Sequence, residues 1–361
     1  MDKSLLNLYA TYLQISSSQI TATGLSELLE QSLSHDKITW FLSSDDYGSE
    51  DLYACVKSEV RYQESLQSSD AYGVLIVDDF VSEKKYSSEN EMIAWHYDHS
   101  EKRSVKGINQ VSIIYDINDN RIPVGFDLVY KTKEYFNKKK GEICRKSPET
   151  KNEKLRKLVG QAYANGLKFK YVLADSWYCS KENMNFIKRD CKRDFILACP
   201  SNRSVALSAE QKEKGDYQDL ASLSWQEEEP RRVWIQGLDF PVLALRQVFK
   251  NGDESTGERY LLCSELSLDY SQITTIYKRR WKVEEHHRVL QSNLGYAKAP
   301  LHTKRTLSNH CFACLYAFFD QQRLIKKMKI NHYQLKNKIY INALKKAYQQ
   351  IVSLKNDFSY A

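Results

Sequence analysis

Two short apolar runs that each end at an aspartate constrain this chain more than any other feature. Gly73 to Phe80 reads GVLIVDDF, and Tyr171 to Ala174 reads YVLA immediately before Asp175. Short, largely β-branched apolar runs bounded by polar residues are the pattern of buried strands. Two further runs, Ile108 to Ile117 and Ile122 to Tyr130, flank the polar cluster Asn118 to Arg121, which is a hairpin signal. Glu149 to Asn165 carries helical spacing through Leu155, Leu158, Val159 and Ala162 and is stopped by Gly166. Lys181 to Cys191 also has a helical pattern, and Asp194 to Cys199 (DFILAC) is a fifth strand. The order is three strands, helix, strand, helix, strand.

That order predicts an α/β chain of ribonuclease-H-like type, a mixed five-stranded sheet with flanking helices. Residues 201–269 read as a β-rich insertion, with short strands at Val233–Gln236, Val242–Val248 and Tyr260–Cys263. A single helix is expected from Ser271 to Leu294, stopped by Gly295. The domains expected are a helical N-terminal domain over 1–70, a candidate for DNA binding, and the first part of the catalytic core over 71–200. The insertion over 201–269, the final core helix over 270–300 and a basic helical C-terminal region over 301–361 follow. The N-terminal helices rest on the spacing of Leu5, Leu6, Tyr9 and Leu13, then Leu25, Leu28 and Leu29.

With 42% hydrophobic residues and only 13 Gly and 6 Pro, long disordered linkers are excluded. The net charge of +7 is mild, but it is unevenly placed. Met1 to Val60 holds three basic and nine acidic residues, whereas Lys131 to Lys157 holds eleven basic and four acidic, and Gln321 to Asn356 nine basic and none acidic. Two such basic regions suit a polyanion, whose counterions they would release. Cys311 and Cys314 form the only C-x-x-C pair among eight cysteines, inside an apolar helical run, so buried thiols are expected there rather than a zinc site. With no signal pattern and no apolar stretch long enough to span a bilayer, a cytoplasmic protein without a membrane partner is expected.

Asp79 and Asp175 end strands that neighbour one another in a sheet of this kind, and Glu284 is the later helical acid that completes a set of three. Asp78 competes with Asp79, and Glu285 with Glu284. Three carboxylates drawn from distant parts of a chain suit two Mg²⁺ ions that bracket a scissile phosphate, since Mg²⁺ prefers oxygen ligands and keeps several waters. His96, His99, His286 and His287 lack partners at zinc spacing and are read as surface or DNA-facing residues. Trp225 and Trp234, in the insertion, are candidates for stacking on an extruded base, set against burial in the β-rich region.

Tyr277, Arg280 and Glu284 stand at Y-x2-R-x3-E spacing, which resembles the Y-R-E-K signature of bacterial insertion-sequence DDE transposases of the insertion sequence 4 superfamily. Val77-Asp78-Asp79-Phe80 resembles that family's first acidic motif, in which the second Asp is catalytic, and Ala174-Asp175-Ser176-Trp177-Tyr178 resembles its second. The resemblance runs from about Gly73 to Gln291 and departs from the pattern at Gln291, where the family has Lys, and at Phe80, where it has Thr. It implies a nucleoid-associated, cut-and-paste DNA transposase with Asp79, Asp175 and Glu284 as catalytic metal ligands for two Mg²⁺, Mn²⁺ being a substitute. It further implies DNA contacts by Tyr277 and Arg280, with Lys278 and Arg279 thickening the positive patch and Arg288 supplying the cation missing at Gln291. Double-stranded DNA with terminal inverted repeats, target DNA and a homodimer on DNA are the implied partners.

Overall fold

The computed structural model describes residues 1–68, 71–98, 102–138, 141–250, 252 and 254–358; His99 lies outside them. The chain divides into two compact units, Met1–Asp46 with His286–Ala361, and Tyr47–Glu285.

The first unit is helical. It opens with α1 (Lys3–Ile15), α2 (Ala22–Leu28) and α3 (His35–Ser44). Asp2 caps α1 by accepting from the backbone N–H groups of Ser4 and Leu5, donors that a helix start leaves unpaired.

The second unit begins with α4 (Ser49–Ser65) and the strands β1 (Gly73–Glu83), β2 (Ala94–Asp98), β3 (Arg103–Ile117) and β4 (Asn120–Leu128). A hairpin of β5 (Lys133–Asn137) and β6 (Glu142–Lys146), the helix α5 (Lys151–Ala164) and the strand β7 (Phe169–Ala174) follow. Next come α6 (Lys181–Asn185), continued as one π-turn, and β8 (Asp194–Cys199). The insertion holds β9 (Ser204–Ala206), α7 (Ala209–Lys214), β10 (Gln218–Asp219), β11 (Arg231–Ile235), β12 (Val242–Lys250) and β13 (Thr256–Cys263). The unit closes with α8 (Tyr270–Lys278) and the start of α9 (Trp281–Ser292). The chain then returns to the first unit with α10 (Lys304–Met328) and α11 (His332–Phe358). There the Tyr9 hydroxyl meets His310 Nδ1 at 3.0 Å, and the Asn309 amide donates to the carbonyls of Leu42 and Asp45 at 2.8 and 2.6 Å. Cys311 and Cys314 are buried thiols.

The large mixed sheet flanked by helices is the α/β class the strand order leads to. Its centre runs β4-β3-β1-β7-β8, with β1 antiparallel to β3 and parallel to β7, and β7 parallel to β8. The insertion does not form a body of its own: β13 pairs with β8, so the sheet continues to eleven strands among the described residues. That pairing covers an edge of β8 that would otherwise present unpaired N–H and C=O groups. On one face Val74, Ile76, Ile114, Leu173 and Ile196 pack with Ile273, Ile276, Tyr277 and Val283 of the two closing helices. Each of the aliphatic helix residues contributes about 1.5–3 kcal/mol by leaving water. On the other face α5 buries Leu155, Leu158 and Val159, and its start is fixed by a capping box of Thr150 and Glu153.

The helix expected to run unbroken from Ser271 to Leu294 is two helices. From Arg279 to Val283 the backbone bonds tighten to the i to i−3 pattern: Arg280 N–H reaches Tyr277 C=O at 2.9 Å, and Val283 N–H reaches Arg280 C=O at 3.0 Å. The turn frees two adjacent arginines to point at the sheet. Arg279 Nε donates to the fully buried Asp116 carboxylate at 2.6 Å, where Lys282 Nζ also binds at 2.9 Å. Asp116→Asn is expected to lower unfolding stability by about 2–3 kcal/mol, the low side of a broken buried pair because both cations stay partly exposed. Urea melting reads this, and an unchanged midpoint would refute the anchoring role.

Candidate active site

Three acids meet at one level of the sheet because β1 and β7 run side by side in the same direction. Asp78 and Asp79 lie within β1, which runs on past them to Glu83 where the sequence pattern predicts a strand ending at Asp79, and Asp175 lies just past the end of β7. Ile76 is level with Leu173, so continuing that register two residues brings Asp78 level with Asp175. Along β1 the side chains alternate. Asp78 follows Val74 and Ile76 on the face covered by α8, and Asp79 meets Lys151 of α5, with the carboxylate Oδ2 at 2.5 Å from the ammonium. The Tyr178 hydroxyl donates to Asp79 Oδ1 at 2.9 Å. Asp175 accepts from Trp177 N–H at 3.0 Å, so it also caps the single turn Ser176–Tyr178.

Arg280 joins Glu284 to these acids. One guanidinium nitrogen donates to Asp78 Oδ2 at 2.8 Å and the other to Glu284 Oε1 at 3.2 Å. Asp78, rather than Asp79, is thus the residue that shares a cation with Glu284. Both oxygens of Asp78 are engaged, because Oδ1 accepts the backbone N–H of Asp79 at 2.9 Å. Asp78 is buried, whereas Asp79 and Asp175 are half-buried and the Glu284 side chain is 38% exposed. The competitor Glu285 is paired with Arg121.

The crowding shows in the proton affinities. Burial first, then the nearby Asp175 carboxylate, push the Asp78 carboxyl well above its usual range against the pull of Arg280. Burial first, then Asp79, likewise raise Asp175. The Tyr178 hydroxyl is raised by burial and by both neighbouring aspartates, which keeps it a proton donor to Asp79.

Among the described residues no group of three or more His, Cys, Asp or Glu is set to hold a metal ion, and Arg280 and Lys151 bind the carboxylates instead. The donor set nonetheless fits a hard divalent cation. It is all oxygen, and a cation would offset both the burial and the carboxylate repulsion that raise Asp78 and Asp175.

The other residues singled out from the sequence are placed as follows. Tyr277 is buried and donates to Ala174 C=O at 3.3 Å, directly beneath Asp175, and burial pushes its hydroxyl up to about 12. Arg279 is spent on Asp116, Lys278 is exposed, and Arg288 and Gln291 are exposed on the part of α9 that belongs to the first unit. Trp225 is half-buried, donating to Leu220 C=O at 3.1 Å, and Trp234 is half-buried with Lys212 Nζ 5.0 Å from its ring centre. The histidines depart from the surface roles expected of them. His96, His286 and His287 are all buried, and burial together with Lys131 and Lys151 pushes His96 down to about 3. Asp78, the competitor of Asp79, binds Arg280, and Lys151 and Tyr178, to which motif spacing gave no role, both bind Asp79. Lys151 carried one signal, its place at the start of a helix after a basic stretch.

Tyr277→Phe is expected to cost about 0.5–1.5 kcal/mol of stability, the worth of one ordinary hydrogen bond. Its affinity for duplex DNA should stay within about twofold of wild type, since the residue is buried. A large loss of binding at unchanged stability would instead make Tyr277 a DNA contact.

No curated protein matches the sequence. Among solved structures, a chain of the Drosophila P element transposase strand transfer complex is similar over 57% of this chain and 45% of that one, at 11% identity and a TM-score of 0.29. This chain therefore spans less than half of that protein's chain. A family model described as DDE superfamily endonuclease matches residues 3–222, more than half of the sequence, including Asp79 and Asp175 and ending before Glu284. The chain belongs to the DDE superfamily endonuclease family.

Proposed function

We propose that this DDE superfamily member is a DNA transposase of the cut-and-paste type, with Asp79, Asp175 and Glu284 as ligands of two divalent ions, Mg²⁺ or its substitute Mn²⁺. The observation that carries the proposal is the meeting of Asp78, Asp79 and Asp175 at one edge of two parallel strands, with Arg280 tying Glu284 to the same edge. Bound there, two divalent ions would activate the attacking oxygen and stabilise the departing one at a phosphodiester.

The chain's own residues prepare that chemistry. Asp78 is a positioning residue, since its two oxygens hold the backbone of Asp79 and the guanidinium of Arg280. Lys151 and Arg280 keep the acids ordered and partly neutralised, and both can turn toward a phosphate oxygen once the carboxylates are otherwise engaged. Arg280 is the better phosphate clamp because its planar fork binds two oxygens at once. Water, and then a freed 3′-hydroxyl, would be the successive nucleophiles. The resemblance to the insertion sequence 4 superfamily, homodimeric action on terminal inverted repeats, and a place at the bacterial nucleoid belong to the same proposal. So do the contacts of Lys278, Arg288 and Gln291 with DNA.

The test is Mg²⁺-dependent cleavage and joining of a DNA fragment carrying the element's own ends. Asp79→Asn, Asp175→Asn and Glu284→Gln should each lose both reactions by roughly 10²–10³-fold or more, the scale of removing one preorganised electrostatic group. Asp78→Asn should lose less, in step with its stability. Cleavage without joining would replace the transposase by a nuclease. Binding without chemistry in the wild type would overturn the proposal.

A further inference from the structure

A second charged feature lies at the opposite ends of the same strands. Where β1, β7 and β8 begin, a cleft of about 500 Å³ opens, lined by Gln67, Tyr72, Lys168, Lys170, Lys192 and Arg193. That volume lies within the range of small-ligand sites. Gly73 and Phe169 are level at this end, and Asp194 is level with Tyr171. Five or six residues of β1, roughly 17–20 Å of strand, separate the cleft from Asp78 and Asp79. A phosphate in the cleft is therefore not the phosphate being cut.

Charge bookkeeping within the cleft leaves a cationic surplus. Among the described lining residues there are two acids, and both are already used by the protein. Glu64 accepts from Arg61 at 2.6 Å, from the backbone N–H of Lys168 at 2.8 Å and from the Tyr115 hydroxyl at 3.3 Å. Asp194 is held by Lys188 at 2.6 Å and by the Ser264 hydroxyl at 2.7 Å. Lys170 is paired with Glu265 at 3.1 Å. Lys168, Lys192 and Arg193 form no ion pair among the described residues. Two donors are left over as well: Arg193 Nε and Gln67 Nε2 are buried without a hydrogen-bond acceptor among the described residues. The guanidinium plane of Arg193 is fixed over the rings of Tyr163 and Phe169, 5.4 Å from each centre, so its direction is set before any ligand arrives. A buried donor without an acceptor costs about 1–3 kcal/mol, a cost that an oxyanion within reach of it offsets.

We propose that this cleft is a phosphate-binding site that takes the backbone of a DNA segment other than the one at the acidic edge, with Arg193 and Gln67 as its fixed donors and Lys168 and Lys192 as its outer cations. It goes beyond the transposase proposal and does not require it, since phosphate binding here needs neither the acids nor a metal ion.

The test is fluorescence anisotropy of a labelled 30-base-pair duplex of mixed sequence, in EDTA, across a series of KCl concentrations. The full chain is compared with Lys168→Gln/Lys192→Gln/Arg193→Gln and with Lys57→Gln, an exposed lysine of α4, as control. Melting temperature and circular dichroism verify that each variant is folded, and the lysine pair alone, both exposed, serves if the Arg193 change disturbs folding. The triple variant should bind at least about tenfold more weakly at moderate salt, and its slope of log K against log salt should fall by about two to three, roughly 0.9 per lost phosphate contact. Orthophosphate and deoxyadenosine monophosphate are titrated in parallel by thermal shift. Stabilisation of the wild type but not the variant, with duplex binding unchanged, would keep the phosphate site and transfer it from DNA to a free phosphate compound. Equal duplex affinity, equal salt slope and no phosphate-dependent shift would overturn the proposal. Because no cleavage is measured, a chain that fails as a transposase can still pass, and an active one can still fail.

Discussion

The site depends on two adjacent arginines that turn away from their helix toward different acids of one sheet. Arg279 reaches Asp116, which is level with Val74 near the start of β1, and Arg280 reaches Asp78, four residues further along. Together they pin the α8–α9 junction along about 13 Å of strand, and that is what sets Glu284 at the acidic edge. The apolar contacts of Ile273, Ile276 and Val283 supply the burial, but an apolar face can slide by a residue at little cost. Two charge-assisted contacts with fixed spacing cannot. The cost of placing Asp116 wholly out of water is offset by three hydrogen bonds from two donors, Arg279 Nε and Lys282 Nζ, so this anchor is satisfied without any substrate.

The same junction explains what sequence could and could not reveal. The strands that lead to Asp79 and Asp175 were legible because four successive apolar residues admit few other readings, and their order along the chain indicates the class of sheet. That β1 runs on past Asp79 to Glu83 was not, because pairing with β3 rather than an apolar run extends it. The acids were legible for the same reason, as the polar ends of buried runs. The roles of Tyr277 and Arg279 were not. Spacing on a helix reports which residues share a face, and a guanidinium has the same chemistry whether its partner is a phosphate or a buried carboxylate. The partner of Arg279 lies 163 residues away, and nothing local announces it. Neither Gly nor Pro marks the break between α8 and α9; it is imposed by the tertiary anchors. The β5–β6 hairpin, in the basic stretch from Lys131 to Lys157, leaves no strand pattern to detect because its side chains are mostly exposed. The insertion's membership in the main sheet rests on the pairing of β13 with β8, a long-range register that local pattern does not encode.

Asp78 shows why two neighbouring acids of identical type need not share a role. Strand alternation sends them to opposite faces, so Asp79 meets Lys151 and Tyr178 while Asp78 meets Arg280. Arg280 is itself shared with Glu284, and Asp78 also accepts the N–H of the residue that follows it. A charge at Asp78 therefore acts on Asp79 through the backbone and on Glu284 through Arg280. The raised proton affinities of Asp78 and Asp175 follow from this packing, because each acid is partly out of water and faces another. The arrangement holds carboxylates closer than they would stay unaided, with Lys151 and Arg280 offsetting the repulsion.

Parallel strands give the unit a polarity that its two charged features follow. β1, β7 and β8 all start at the cleft, and β1 and β7 both run to the acidic edge. In open α/β sheets ligands bind beyond the carboxyl ends of such strands; Asp175 lies just past the end of β7, and Asp78 and Asp79 lie level with it inside β1, which runs on to Glu83. The cations at the amino ends have a different origin: Lys168 and Lys170 flank the first residue of β7, and Lys192 and Arg193 occupy the turn into β8, where Lys192 takes a left-handed backbone. Opposite charge at the two ends of one strand length does not cancel at this separation, since two or more Debye lengths at physiological ionic strength lie between them. Each end meets polyanions on its own terms. The cationic end attracts an anion as it stands, whereas the acidic end repels one until positive charge is added, so on the proposed function a metal ion would have to precede a phosphate at the acidic end and need not at the cationic one.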